Sequence, residues 1–172
     1  MNEVIKTILA RRSSRAFSDR NISKEDLEMI VEAGFHAPSG RNLQKWKFTV
    51  IQRKDIIAEI AQVLSTALSR PGYDLFKPNA LILASNEETN PHGVSDCSCA
   101  LENIFLAAES LGIGSVWLNQ FKGICNEPEV RAVLDKLNVP KNHVIIGVAA
   151  LGYSTDTSKK VEKRTDVVEW FL

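Results

Sequence analysis

Apolar residues recur along the chain with two distinct periods. Val4, Ile5, Ile8 and Leu9 fall at helical spacing, so residues 2–11 read as a short amphipathic helix. Ser23-Lys24-Glu25-Asp26 has the form of a capping box, with Asp in place of the usual Glu or Gln. It opens a second helix carrying Leu27, Ile30 and Val31 that fades near Gly34. Trp46, Phe48 and Val50 alternate with Lys47 and Thr49, the period of a strand. Residues 54–68 read as helix, and Arg70-Pro71-Gly72 marks a turn. Ala80–Ala84 is a short, wholly apolar run, the pattern of a strand buried on both faces. Residues 96–111 form the longest helix, with Leu101, Ile104, Phe105, Ala108 and Leu111 on one wide face and Gly112 and Gly114 as stops. Ser115–Leu118 is another strand, 127–137 a helix ending before Pro140, and Val144–Leu151 the last core strand.

Helices and about four apolar strands alternate irregularly, which predicts a single α+β domain over residues 1–172. The tail, about 154–172, is polar until Val167, Val168, Trp170 and Phe171. Such an end frays unless something holds it. A partner subunit could do so, by taking it up as an added strand or by being wrapped.

Composition narrows the class. Hydrophobic residues make up 44% and charged residues 24% of 172, ordinary for a soluble globular chain. The formal net charge is zero, so no global field draws the protein to nucleic acid or to an anionic membrane. No apolar run approaches the ~20 residues of a membrane span. Glu3 and Lys6 interrupt the N-terminal apolar pattern, so it does not read as a secretory signal. Cys97, Cys99 and Cys125 are too few for a disulfide scaffold, and a reducing cytoplasm is the simplest compartment.

Any basic site must therefore be local, and one is present. Arg11-Arg12-Ser13-Ser14-Arg15 places three guanidiniums and two hydroxyls within five residues. Cations at a helix C-terminus complement its macrodipole, which is one reading. The sharper one is a phosphate clamp, since guanidinium forks bind phosphate oxygens in pairs and Ser adds a donor. A second polar cluster runs Pro38-Ser39-Gly40-Arg41-Asn42-Leu43-Gln44. Its first half suits a turn. Its amides offer both donor and acceptor, matching the edge of a pyrimidine-like ring. Other candidates are weaker. His36 lies near the second cluster and reads first as a helix-end residue. His92, Asp96, Cys97 and Cys99 lack the paired spacing of a structural zinc site. Trp46 and Trp117 read as core residues before stacking platforms.

Arg-Arg-Ser-x-Arg, followed one helix later by Ala-Pro-Ser-Gly-x-Asn-x-Gln-x-Trp, resembles the nitroreductase family of FMN-dependent oxidoreductases. The likeness continues through Ala100-x-x-Asn103-x-x-Leu106-Ala107-Ala108-x-x-Leu111-Gly112-x-Gly114-x-x-Trp117, then Gly147, Gly152-Tyr153 and Arg164. It implies an α+β sandwich, with a central mixed, mostly antiparallel sheet flanked by helices, in an intertwined homodimer with two FMN sites at the interface. Arg11, Arg12 and Ser13 would hold the phosphate and ribityl end, with Lys163 and Arg164 returning to it. Arg15 would stand beside the N1/O2 side of the ring, where a cation favours the reduced anion. Pro38, Ser39, Gly40, Asn42 and Gln44 would come from the partner and line the ring. Leu118 and Asn119 would run past its N5 and O4. The chain departs from the pattern in two places. Trp117-Leu118-Asn119-Gln120 replaces the family's Pro-x-Glu-Gly, and Lys45 stands where proline is common.

The activity so implied is transfer of hydride from NADH or NADPH, through FMN, to a small oxidised acceptor such as a nitroaromatic or quinone. It would proceed by a ping-pong mechanism, with the flavin and no side chain carrying the chemistry. A flavin storage module, or dehalogenation, flavin cleavage or azoline oxidation on the same fold, are the alternatives.

Overall fold

The strand Ala80–Glu87 (β2) is the axis of the molecule, because both its faces are covered. Leu81 and Leu83 point into one apolar cluster, and Ala80, Ile82 and Ala84 into another on the opposite side. This is why the sequence there is continuously apolar rather than alternating. A computed structural model of the chain describes residues 1–157 and 163–172.

In chain order the elements are α1 (Glu3–Ala10), α2 (Lys24–Phe35), β1 (Lys47–Ile51), α3 (Lys54–Ala67), β2, α4 (Gly93–Ser110), β3 (Gly114–Leu118), α5 (Pro128–Lys136) and β4 (His143–Gly152). The strands form one sheet in the order β1-β2-β4-β3. All its pairings are antiparallel. Among the described residues the parallel element is an isolated bridge, Ser13 to Ser115. The cluster on one face takes Ile57, Ile60 and Leu64 from α3 and Val130, Val133 and Leu134 from α5. That on the other takes Leu27 and Ile30 from α2 and Leu101, Ile104 and Phe105 from α4. The result is the expected α+β sandwich.

Local chemistry sets the boundaries. Ser23 caps α2 by accepting the Asp26 N–H at 3.0 Å, and Asn2 caps α1 through the Ile5 N–H. Helix α4 ends at Ser110, and Gly112 follows with φ +71, a left-handed conformation that costs glycine nothing. Strand β2 runs to Glu87, past the apolar stretch, because Ser85 and Asn86 are buried with hydrogen-bond partners of their own.

Two apolar surfaces have no cover among the described residues. Helix α1 buries no residue, and Val4, Ile5, Ile8 and Leu9 are all exposed. So are Val167, Val168, Trp170, Phe171 and Leu172 in the tail.

Candidate functional site

The arginine segment begins where α1 stops. Arg11 is the C-cap residue, and its N–H still reaches Thr7 O. Beyond it the chain turns extended and crosses the end of the sheet, where the start of β3 and the end of β4 lie side by side. Ser14 N–H donates to Ser115 O at 2.8 Å, Ser18 N–H to Tyr153 O, and Thr155 N–H to Ala16 O. Phe17 bridges Ser154. Main-chain bonds thus hold this segment along a sheet edge, and its long side chains are left for other work.

Those side chains differ in what they already hold. Arg12 donates from Nη2 to Asp156 O at 2.6 Å. The Arg11 guanidinium lies 3.7 Å from Glu102 on α4, a loose pair. Arg15 is exposed, with its guanidinium 6.0 Å from the centre of the Phe76 ring. Its N–H donates to Asp156 Oδ2 at 3.2 Å. Of the two serines, Ser14 is buried and Ser13 half-buried. Sequence reasoning missed Glu102, Phe76 and Asp156. The β3–β4 pairing and the turn after β4 deliver Asp156, and nothing in its own neighbourhood marks it.

Pro38–Gln44 follows α2 as a tight excursion. Gly40–Asn42 forms a single 3-10 turn, with Asn42 N–H donating to Ser39 O and Leu43 N–H to Gly40 O. Arg41, Asn42 and Gln44 all take positive φ, between 49 and 54. For non-glycine residues this is strained backbone, of the kind that gathers at binding sites. Gln44 Nε2 donates to Asn42 Oδ1 at 2.8 Å and Gln44 N–H to Ser39 Oγ at 3.2 Å. Pro38, Asn42 and Gln44 are exposed, and Ser39 and Gly40 half-buried. The loop is fastened at Asp96 on α4, whereas the arginine segment is fastened at Ser115 and Asp156. The hydrogen bonds of the two clusters go to different parts of the fold.

The remaining expected residues divide. Asn119 is exposed just past the end of β3. Leu118 is 2% exposed and belongs to the cluster shared with α3 and α5, so its side chain is core and only its main chain can face a ligand. Its neighbour Trp117 points to the opposite face, 39% exposed, with its ring tilted against Phe105 of α4. Trp46 is half-buried against Phe48. Lys163 and Arg164 are exposed, and Arg164 forms a two-point pair with Asp166 at 3.0 and 3.1 Å. His36 caps α2, its Nδ1 2.9 Å from Glu32 O. Cys97 is buried and its S–H points at Ser85 O. Burial pushes its thiol up to about 11, which makes it an inert core residue. Cys99, two residues on, is exposed.

A sheet between two helix layers, with an arginine-bearing segment stitched to the edge strand β3, is the nitroreductase type of α+β fold. The chain belongs to the nitroreductase family, whose sequence pattern matches residues 8–153. A nitroreductase of Bacteroides fragilis, crystallised with bound FMN, is 36% identical and superimposes over the whole of both chains with a TM-score of 0.94. A protein of Archaeoglobus fulgidus provisionally named NADH dehydrogenase/NAD(P)H nitroreductase is 36% identical over 160 residues, 91% of this chain and 88% of its own. An FMN reductase [NAD(P)H] of Bacillus subtilis is 29% identical over 177 residues, 93% of this chain and 69% of its own.

Proposed function

We propose that this NAD(P)H-dependent FMN oxidoreductase serves small oxidised acceptors, nitroaromatics or quinones among them, in two alternating half-reactions. The observation that carries the reading is the arginine segment. Its main chain is committed to the sheet edge while Arg11 and Arg15 keep weakly engaged guanidiniums. That donor set suits a phosphate and an anionic ring edge. FMN, when bound, supplies the redox chemistry by accepting hydride and passing electrons on.

The chain's own residues bind, orient and bias. Arg11, Arg12 and Ser13 hold the phosphate end, aided by Lys163 and Arg164. Arg15 brings positive charge to the ring's N1/O2 side and so favours the reduced, anionic form. Asn119 and the main chain of Leu118 border the N5 side. Pro38, Ser39, Gly40, Asn42 and Gln44 line the ring of a second copy's site. The separate anchoring of the two clusters supports this division between subunits.

The same reading makes the protein an intertwined homodimer. The bare apolar face of α1 and the exposed run Val167–Leu172 both need cover, and a second copy would give each one. Among the described residues the outer edge of β1 is open for an added strand. Sedimentation should give a dimer, and deletion of residues 165–172 should shift it toward monomer.

The deciding test of the activity is the visible spectrum of purified protein. It should be yellow and should bleach with NADH or NADPH under exclusion of air. Steady-state oxidation of either nicotinamide should then respond to menadione or a nitrofuran. Flavin that is bound and reduced without turnover on any acceptor would make the protein a flavin carrier instead.

A further inference from the structure

The buried carboxylate of Asp96 fastens the Pro38–Gln44 loop but is not itself among the residues that would meet the cofactor. It lies in the first turn of α4 and is 3% exposed. It is not the helix cap: the N-cap position is His92, whose side chain makes no capping bond. Instead Oδ1 leaves the helix and accepts the Gly40 N–H at 2.8 Å, across 56 positions of sequence. The other oxygen, Oδ2, is buried without a partner among the described residues.

Gly40 is shaped for this contact. A Cβ built on it would fall 2.4 Å from Cγ of His92 and 2.6 Å from its Cδ2. Any larger residue would drive the loop off the helix. The loop has little else to hold it. Among the described residues, every other hydrogen bond of residues 38–44 closes within the loop itself. Its three positive-φ residues add strain that some outside contact must offset.

We propose that Asp96 is the positioning residue for the Pro38–Gln44 loop. Through the Gly40 N–H it fixes where that loop stands over the cofactor of the partner's site. The second half of this statement rests on the flavin reading above. A carboxylate suits the task because a charged acceptor makes a stronger bond to a backbone N–H than a neutral one. The positive end of α4 steadies that charge in its first turn. A buried acid with an orphaned oxygen costs stability, and its retention is explained if loop position is what it secures.

The test compares Asp96→Ala, Asp96→Asn and wild type, as apoprotein and with FMN. Amide exchange on labelled protein should show Gly40 losing at least about tenfold protection in Asp96→Ala while β2 and β4 amides are unchanged, as loss of one hydrogen bond implies. The dissociation constant for FMN should rise about tenfold and the visible circular dichroism of bound flavin should change. Asp96→Asn keeps an acceptor at Oδ1 and should recover most of both. Should Asp96→Ala fail to fold, Asp96→Ser, too short to reach Gly40, takes its place. Unchanged Gly40 exchange overturns the clamp. Lost Gly40 protection with wild-type flavin affinity and dichroism overturns the link to the cofactor. Wild-type protein that takes up no FMN defeats the flavin reading and that link together, and Gly40 exchange in the apoprotein still decides the clamp.

Discussion

The two polar segments of the site are fastened in opposite ways. Residues 13–18 are sewn to the sheet by main-chain bonds to Ser115, Tyr153 and Ala16's partner Thr155. Residues 38–44 fold on themselves and, among the described residues, are hydrogen-bonded to the rest of the molecule through one side chain, Asp96. A segment held by its backbone can give its side chains wholly to a ligand, and substituting them leaves its course unchanged. A segment held by one side chain, with strained φ at Arg41, Asn42 and Gln44, has a position that a single substitution away from the ligand can undo.

The largest effect should come from stripping the first segment of its charge. Charge-assisted hydrogen bonds are worth about 1.5–3 kcal/mol each. Replacing Arg11 and Arg15 together by Ala should therefore weaken FMN binding by about a hundredfold or more, measured by quenching of flavin fluorescence. The amides of residues 14–18 should keep their protection. If they lose it, the guanidiniums are structural and the contrast between the segments collapses. Arg15→Ala alone should also make the bound flavin harder to reduce, and an unchanged midpoint potential would remove the ring-side role given to that residue.

A smaller loss should follow from Gly40→Ala. The added methyl meets the His92 ring at 2.4 Å, a clash on the scale of 1–3 kcal/mol for overpacked sites. FMN affinity should drop about tenfold, with the phosphate end unaffected. That can be read as unchanged binding of inorganic phosphate in competition with FMN. Wild-type affinity in this variant would mean that the loop is free to move aside without consequence.

The same contrast explains what could be read from the sequence. Backbone-driven features were legible. The apolar periods of α2, α3, α5 and β4 predicted those elements to within a residue or two, and the arginine run marked its own chemistry. Features made by buried polar side chains were not. Strand β2 runs three residues beyond Ala84 because Ser85 and Asn86 are satisfied inside, which a hydropathy pattern does not register. Helix α4 begins at Gly93 rather than at 96, and Asp96, in its first turn, bonds the loop instead of the helix. In the sequence Asp96 stood only among unpaired candidates for a metal. Leu118 was expected to run past the ring's N5 and O4, and the alternation of β3 puts its side chain in the core shared with α3 and α5, a question of which face each residue takes that motif position alone leaves undecided.

The smallest expected effect probes the ground beneath the second segment. His143 opens β4, 8% exposed, with Nδ1 3.1 Å from Ser85 Oγ. Ser85 O in turn accepts the S–H of Cys97, next to Asp96. Burial lowers the His143 pKa, Glu87 opposes the shift, and Lys47 and Arg131 add to it. A histidine whose folded pKa lies below its unfolded value of about 6.5 contributes stability that is present above that pH and lost as pH falls through the folded value. The melting temperature should thus fall between pH 7 and pH 5.5 by more in wild type than in His143→Gln. The excess should stay under about 4 °C, the scale of 1 kcal/mol in a chain of this size. In the same interval the amides of Gly40 and the first turn of α4 should lose protection before those of residues 14–18. Simultaneous loss in both segments would mean that they share one foundation after all, and that the difference between backbone stitching and a single carboxylate does not govern how the site comes apart.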